Sequence, residues 1–205
     1  MQLKISKLRH KRAIAGFTLL ETLVVIVIIA ILFAIAAPSW NAWMNRQRVN
    51  VVRDQALQIV RKAQNDARTT RVPKVVIFDP TATIPRAAIL SVERNNLGQT
   101  VNNIDPATIT QWQTLGNGDV GEGFVEFSTT PATGQLVFNS SGFVDQLSLN
   151  QVDPNLGRNP ETATSRVFAF KVKQRNTTDA TYRCVIVKTI LGAVDTGEGD
   201  RCAGV

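Results

Sequence analysis

The feature that most constrains this chain is an unbroken run of fifteen apolar residues, Leu23 to Ala37, near its amino end. Counted from Phe17, the segment has twenty-one residues with Glu21 as its one acid, and no further charge appears before Arg46. A helix needs about 20 mostly apolar residues to cross the hydrocarbon core of a bilayer. The sequence therefore predicts one membrane-spanning helix, and at most one.

Positive charge is concentrated before and just after this segment. Residues 1–16 hold five basic residues and no acid, which is most of the formal net charge of +7. Ser39 to Lys74 has a further eight basic residues against two acids, whereas the rest of the chain is slightly acidic. Since the positive flank of a membrane helix usually stays in the cytoplasm, everything after the span is expected outside it.

Composition also limits the chemistry. His10, the sole histidine, lies in the basic tail, so a chain without residues 1–16 would lack the imidazole that Ser-His pairs, Cys-His pairs and His-ligated metal sites require. We find no glycine-rich phosphate loop, EF-hand or paired-carboxylate motif. We therefore expect no catalytic residue, no metal and no cofactor, and we do not expect an enzyme.

The amino end can be cleaved at either of two places. A basic stretch before an apolar one also describes a secretory signal peptide, which would be cut after the small pair Ala36-Ala37, giving a mature start near Ser39. Against this, the segment is longer than the roughly 7 to 15 residues of a signal h-region, and an abrupt junction precedes it at Gly16-Phe17. Cleavage at that junction would leave the apolar helix in the mature protein.

The junction itself, Gly16-Phe17-Thr18-Leu19-Leu20-Glu21, closely resembles the processing site of type IV prepilins and secretion pseudopilins. The resemblance implies that a prepilin peptidase cuts after Gly16 and methylates the new amino group of Phe17. It also implies that Glu21 meets the Phe17 amine of a neighbouring subunit, which would offset the cost of a carboxylate in a bilayer. The residues alone leave two alternatives, in which Glu21 lies unpaired in the membrane interface or meets its own Phe17 amine.

A second helical pattern follows Pro38, which predicts a bend rather than an end because it removes one backbone hydrogen bond. Apolar residues then recur at spacings of three and four, with most charges off the stripe: Val52, Ala56, Ile59, Val60, Ala63 and Ala67. Val72-Pro73 is predicted to end this helix.

Short β-branched and aromatic runs bounded by turn residues make up the remainder. They are Val75–Phe78, Ala88–Val92, Ile109–Leu115, Phe124–Phe127, Gln135–Phe138, Val167–Val172, Arg183–Thr189 and Gly192–Asp195. The predicted fold is α+β and pilin-like, with a long helix packed on a mostly antiparallel head. Its predicted parts are a cleaved leader (1–16), a transmembrane segment (17–38), an amphipathic helix (39–74) and a β-rich head (75–205).

Within the pilin superfamily, three stretches resemble the GspH/FimT group of minor pilins and pseudopilins. They are Ala63–Ala67 with Arg71 and Pro73, Val137–Gly142, and the strand pair Cys184–Lys188 with Leu191–Val194. The resemblance implies a subunit of a type IV pilus or a type II secretion pseudopilus. Its implied partners are other pilin or pseudopilin subunits, and its implied location is the inner membrane, with the head in the periplasm or outside the cell.

The two cysteines, Cys184 and Cys202, fall on the exported side of the predicted span, where oxidation is expected. A disulfide is therefore expected. The alternative, a pair of redox-active thiols, lacks a CxxC spacing.

DNA is a second partner to consider, because some FimT-like pilins are understood to bind it through a C-terminal Gly-Arg-x-Arg element. The matching residues here, Gly192 to Asp195, lack both arginines. A different basic patch remains open, formed by Lys171, Lys173, Arg175 and Arg183, of which strand alternation puts the first three on one face. The alternative is the solvated outer face of a half-buried sheet. A pilus-tip DNA-binding subunit is therefore the second functional hypothesis.

Overall fold

The computed structural model describes residues 16–92, 104–145, 168–175 and 181–203; most of the predicted leader, residues 1–15, lies outside this range. In the described residues one 52-residue helix, α1 (Leu19–Thr70), is followed by β-strands and a short closing helix, α2 (Asp200–Ala203). The strands are β1 (Lys74–Phe78), β2 (Arg86–Ser91), β3 (Gln113–Thr114), β4 (Val125–Thr130), β5 (Gln135–Phe138), β6 (Phe168–Gln174), β7 (Arg183–Val187) and β8 (Val194–Glu198).

The chain divides into two compact units between Trp43 and Met44. The first contains the amino-terminal part of α1. The second, Met44–Val205, is called the globular unit below and contains the rest of α1 with all described strands. Its buried apolar core begins at Val49.

Two four-stranded sheets form the β part of the globular unit. Their strand orders are β3-β2-β1-β5 and β4-β6-β7-β8, and every pairing is antiparallel. The predicted α+β fold, a long amino-terminal helix followed by antiparallel strands, is confirmed. The sequence did not indicate that the strands separate into two sheets.

The apolar stripe of α1 packs against both sheets. All six predicted positions, Val52 to Ala67, are only 0 to 4% exposed, and they join one core cluster with side chains from each sheet. Phe78 of the first sheet lies 5.7 Å from Phe168 and 4.8 Å from Phe170 of the second, measured between ring centroids. Because burying one large apolar side chain contributes about 1.5 to 3 kcal/mol, this shared core holds helix and sheets together.

The segment Ile109–Leu115 was predicted as one strand, but only Gln113–Thr114 pairs, with Arg86 and Ala87. Ile109 packs in a cluster with Val75, on the face of the first sheet that points away from α1, whereas Leu115 joins the α1 core. The segment therefore crosses the edge of the sheet, and the prediction of a full strand was wrong.

Candidate functional site

The predicted processing site lies at the start of α1 and is accessible in this structure. Phe17 is exposed, and Gly16 is so open that a Cβ placed there would meet no atom within 4 Å. Thr18 caps the helix: its Oγ1 accepts a hydrogen bond from the backbone N–H of Glu21 at 3.2 Å. A threonine followed three residues later by glutamate is the capping-box pattern, so the start of α1 at Leu19 has a local cause.

Apolar side chains cover the first part of α1 on all sides. The large apolar residues from Phe17 to Ile35 are 47 to 83% exposed, in contrast to the buried stripe that begins at Val49. Monomeric soluble proteins rarely expose a continuous apolar surface of this extent. Such a surface indicates contact with lipid or with other helices.

By length and composition, a membrane span in α1 needs two helical segments together. Within the described residues no single straight helix is long and apolar enough to cross a membrane, whereas the two segments of α1 on either side of a bend, Leu19–Ile35 and Trp40–Thr70, are long and apolar enough together. Trp40 and Trp43, both exposed, lie with ring centroids 5.3 Å apart just beyond the apolar run.

The two cysteines form the expected disulfide. Cys184 of β7 and Cys202 of α2 are joined with their Cα atoms 5.8 Å apart, and both are buried with Ile186 on the outer face of the second sheet. The bond closes a loop of 18 residues and attaches α2 to the sheet.

The four residues of the predicted basic patch lie on more than one surface. Lys171 and Lys173 are two residues apart on β6 and so lie on the same face of the second sheet. This is the outer face, because Lys171 is opposite Cys184. Arg183 is instead opposite Val172, whose side chain belongs to the α1 core, so Arg183 faces the helix. Arg175 follows the end of β6, and its guanidinium lies near Gly123.

Two residues of the predicted patch, Lys173 and Arg183, contact acidic or aromatic side chains. Lys173 lies 3.6 Å from Glu126 and 4.8 Å from the ring centroid of Tyr182. The hydrogen bond with Tyr182 is the main cause that raises the pKa of Lys173. Arg183 forms an ion pair with Glu198 of β8.

Sequence reasoning missed a different group of basic residues. Arg183 faces Arg46 and Arg53 of α1, and Arg53 lines an open cavity together with Arg201 of α2. No local signal could have found this group, because its members come from three separate parts of the chain.

The three stretches that resemble the GspH/FimT group meet around one side chain. Gln64 Nε2 lies within hydrogen-bond distance of three carbonyl oxygens, those of Gly142 at 3.1 Å, Leu191 at 3.2 Å and Gly192 at 3.3 Å, which share its two N–H donors. The turn after β5 and the turn between β7 and β8 are thereby both attached to α1.

Comparison with known proteins finds a family motif at the amino end. A family model described as the prokaryotic N-terminal methylation motif matches residues 11–37, which include Gly16, Phe17, Glu21 and the whole apolar run. Residues 11–37 therefore carry a prokaryotic N-terminal methylation motif. A crystal structure of the type IV minor pilin FimU from Pseudomonas aeruginosa is similar to this chain with a TM-score of 0.46 and 12% identity, over 76% of this chain and 92% of FimU. No curated protein matches the sequence.

Proposed function

We propose that this protein is a minor pilin or pseudopilin, a structural subunit that assembles into a type IV pilus or a type II secretion pseudopilus. The observation that carries the proposal is the methylation motif at residues 11–37, placed directly before a helix whose apolar side chains are exposed. In this role the protein catalyses nothing. It is instead the substrate of a prepilin peptidase that removes residues 1–16 and methylates Phe17.

The exposed apolar part of α1 fits both the membrane-bound form and the assembled form of such a subunit. Before assembly it would lie in the inner membrane as a single span, with the globular unit in the periplasm. After assembly the same side chains would pack against helices of other pilin subunits. Lipid tails are as apolar as these side chains, so apolar contact alone would not fix how the helices align along their axes.

Glu21 supplies the alignment in this proposal. Its carboxylate would pair with the Phe17 amine that cleavage creates on a neighbouring subunit. An unpaired charge is costly in a bilayer, so only the axial register that brings the two groups together would satisfy both.

The mass of the native protein tests the proposal most directly. The protein purified from its own membranes should have the mass of residues 17–205 plus one methyl group, and fragmentation should place that methyl on Phe17. A mature chain that begins near Ser39 would instead identify the apolar segment as a discarded signal peptide, and it would overturn the proposal.

The pairing role of Glu21 has its own test. Glu21→Ala should leave membrane insertion intact but reduce co-purification with other pilin subunits. Glu21→Gln is the matched variant, because glutamine fits the capping box equally well but has no charge. If the contact is ionic, both variants should assemble poorly; normal assembly of Glu21→Gln would mean that Glu21 acts through the helix cap.

The DNA-binding alternative has no comparable support in the described residues. Arg183 lies on the opposite face of the second sheet from Lys171 and Lys173, and Lys173 and Arg183 each have an acidic partner. We therefore do not propose it.

A further inference from the structure

Four arginines gather at the end of the globular unit from which α1 continues toward Trp43. Arg46 and Arg53 come from α1, Arg183 from the start of β7, and Arg201 from α2; together they are called the base arginine cluster. Arg53 and Arg201 line an open cavity of about 340 Å³ with Thr196, Gly197 and Glu198. Glu198 in turn forms an ion pair with Arg183, which connects three of the four arginines to the cavity. Arg46 does not line the cavity, but it precedes Arg53 by seven residues and so lies on the same face of α1.

Two of these arginines are held in place and two are open to a ligand. The side chain of Arg183 is only 12% exposed and pairs with Glu198, while Arg53 pairs with Asp54 at 2.7 Å. Arg46 and Arg201 are exposed, and neither has an ion-pair partner among the residues that the structure describes. Among the described residues, the cluster is therefore a fixed pair of guanidinium groups flanked by an exposed pair that forms no ion pair.

The like charges of the cluster repel one another. Burial, and then the nearby charges of Arg53 and Arg46, lower the pKa of Arg183 below its ordinary value. The acids near the cluster are Asp54, Glu198, the exposed Asp200 and Asp195, which also acts on Arg201 but is itself paired with Lys188. With Lys188 counted, five basic side chains face four acids, an excess of one. A bound anion would relieve this repulsion.

Close backbone packing fixes the position of Arg201. A Cβ on Gly197 would lie 2.9 Å from Cys184 Sγ and 3.1 Å from Arg201 Cβ, so only glycine lets α2 approach β8 this closely. The disulfide at Cys202 holds the next residue of α2 against the same sheet. Arg201 is thus presented to the cavity by a covalently attached element.

We propose that the base arginine cluster binds a phosphate group, with Arg46 and Arg201 as its main ligands and the cavity beside Arg53 as its seat. The planar fork of a guanidinium group matches two phosphate oxygens, and each such hydrogen bond is strengthened by charge. The cavity has the volume of roughly ten liquid waters, which leaves room for a phosphate and part of its hydration.

The position of the cluster favours an anionic phospholipid headgroup as the source of that phosphate, an assignment that rests on the proposed function. Arg46 lies nine residues after Ala37, so it is at most about 14 Å from the end of the apolar run at 1.5 Å per helical residue. The headgroup layer covers about 5 to 8 Å of this distance, and a long arginine side chain can extend back toward it.

Native mass spectrometry of the full mature protein in neutral detergent would test the site. The protein is mixed with equal amounts of phosphatidylglycerol and phosphatidylcholine that carry the same short acyl chains, and in separate samples with inorganic pyrophosphate or a short DNA duplex. The test variant is Arg46→Gln with Arg201→Gln. The matched control, Arg61→Gln with Lys62→Gln, removes the same charge from exposed positions of α1 outside the cluster.

Preferential retention of phosphatidylglycerol, weakened about fivefold for each arginine removed and unchanged in the control, would support the lipid source. Pyrophosphate binding with the same dependence on Arg46 and Arg201, but without lipid preference, would support the phosphate site with a soluble source. Binding should also weaken as salt concentration rises.

Equal retention of both lipids without pyrophosphate binding would overturn the proposal, as would equal losses in the test and control variants. DNA bound more tightly than either phosphate probe, and lost in the test variant, would replace it with a nucleic-acid site. The same spectra report the first residue of the mature chain. A start near Ser39 would overturn the proposed function, whereas the phosphate site would still be tested by the lipid, pyrophosphate and DNA samples.

Discussion

At the scale of single residues, Asp79 is the buried charged group among the residues that the structure describes, with only 1% of its surface exposed. One oxygen accepts hydrogen bonds from the backbone N–H and the hydroxyl of Thr81, at 2.9 and 2.7 Å. The other accepts from Nε and Nη2 of Arg86, at 2.8 and 2.5 Å. Burial alone would raise the pKa of Asp79, but these hydrogen bonds and the Arg86 charge outweigh it and lower that pKa.

A lowered folded-state pKa means that the ionised Asp79 stabilises the fold above the unfolded-state pKa of about 4 and that this stabilisation is lost as pH falls further. Asp79→Asn should therefore lower the free energy of unfolding at pH 7 by about 1.5 to 3 kcal/mol. The difference from wild type should shrink at pH values below about 4. Urea unfolding at pH 7 and at a pH below about 4 measures the loss of stability and its decrease in acid.

Asp195→Asn is the matched control for this prediction. Asp195 pairs with Lys188, but both side chains are about half exposed, so the substitution should change stability by less than about 1 kcal/mol. A gap between Asp79→Asn and wild type that stays constant into the acidic range would show that the charge of Asp79 contributes no stability.

At the scale of secondary-structure elements, Gln64 and Gly192 attach α1 to the turn between β7 and β8. Gly192 has a φ of +77°, which disfavours any residue with a side chain, and a Cβ there would overlap Gln64 Nε2. Gly118 has a φ of +80° but open space around it, so it isolates the backbone effect from the overlap.

Gly118→Ala should cost about 1 to 2 kcal/mol of unfolding free energy through backbone strain alone. Gly192→Ala should cost at least about 1 kcal/mol more, because its Cβ displaces Gln64, and this excess should disappear in a Gln64→Ala background. Chemical denaturation of the single and double variants gives the coupling energy. Purely additive effects at positions 64 and 192 would contradict a direct contact between the helix and the turn.

Elements with a local cause were predicted well from the sequence. The buried stripe of α1 follows from the 3.6-residue period of its apolar residues. Most strands were found from short β-branched and aromatic runs bounded by turn residues. The face of Arg183 was beyond sequence reasoning, because it depends on the pairing of β6 with β7 that puts Val172, rather than Lys171, opposite Arg183. The base arginine cluster depends on the same non-local register.

At the scale of the whole molecule, the two units differ in what stabilises them. The globular unit contains the apolar core, in which residues Val49 to Ala67 of α1 pack against both sheets. The amino-terminal part of α1 leaves its large apolar side chains exposed in the isolated chain. The proposed role requires this division, because the helix would have to leave lipid for a filament without unfolding the unit attached to it.

The division predicts that residues 44–205 fold without the amino-terminal unit. Their midpoint of thermal unfolding should lie within about 4 °C of that of residues 17–205 in detergent, since a difference below about 1 kcal/mol shifts a domain of this size by no more than that. Circular dichroism gives the midpoint, and hydrogen exchange at β1, β6 and β7 reports whether the core is the same.

Residues 57–205 are the matched control for this truncation, because they also lack Val49, Val52 and Ala56 of the core. Each buried valine contributes about 1.5 kcal/mol or more, and helix α1 would lose its first packed turns, so this shorter chain should unfold far below the midpoint of residues 44–205. Similar midpoints for the two truncations would mean that the sheets, not the α1 stripe, dominate stability. A non-cooperative transition for residues 44–205 would mean that the amino-terminal unit is part of the fold rather than only its anchor.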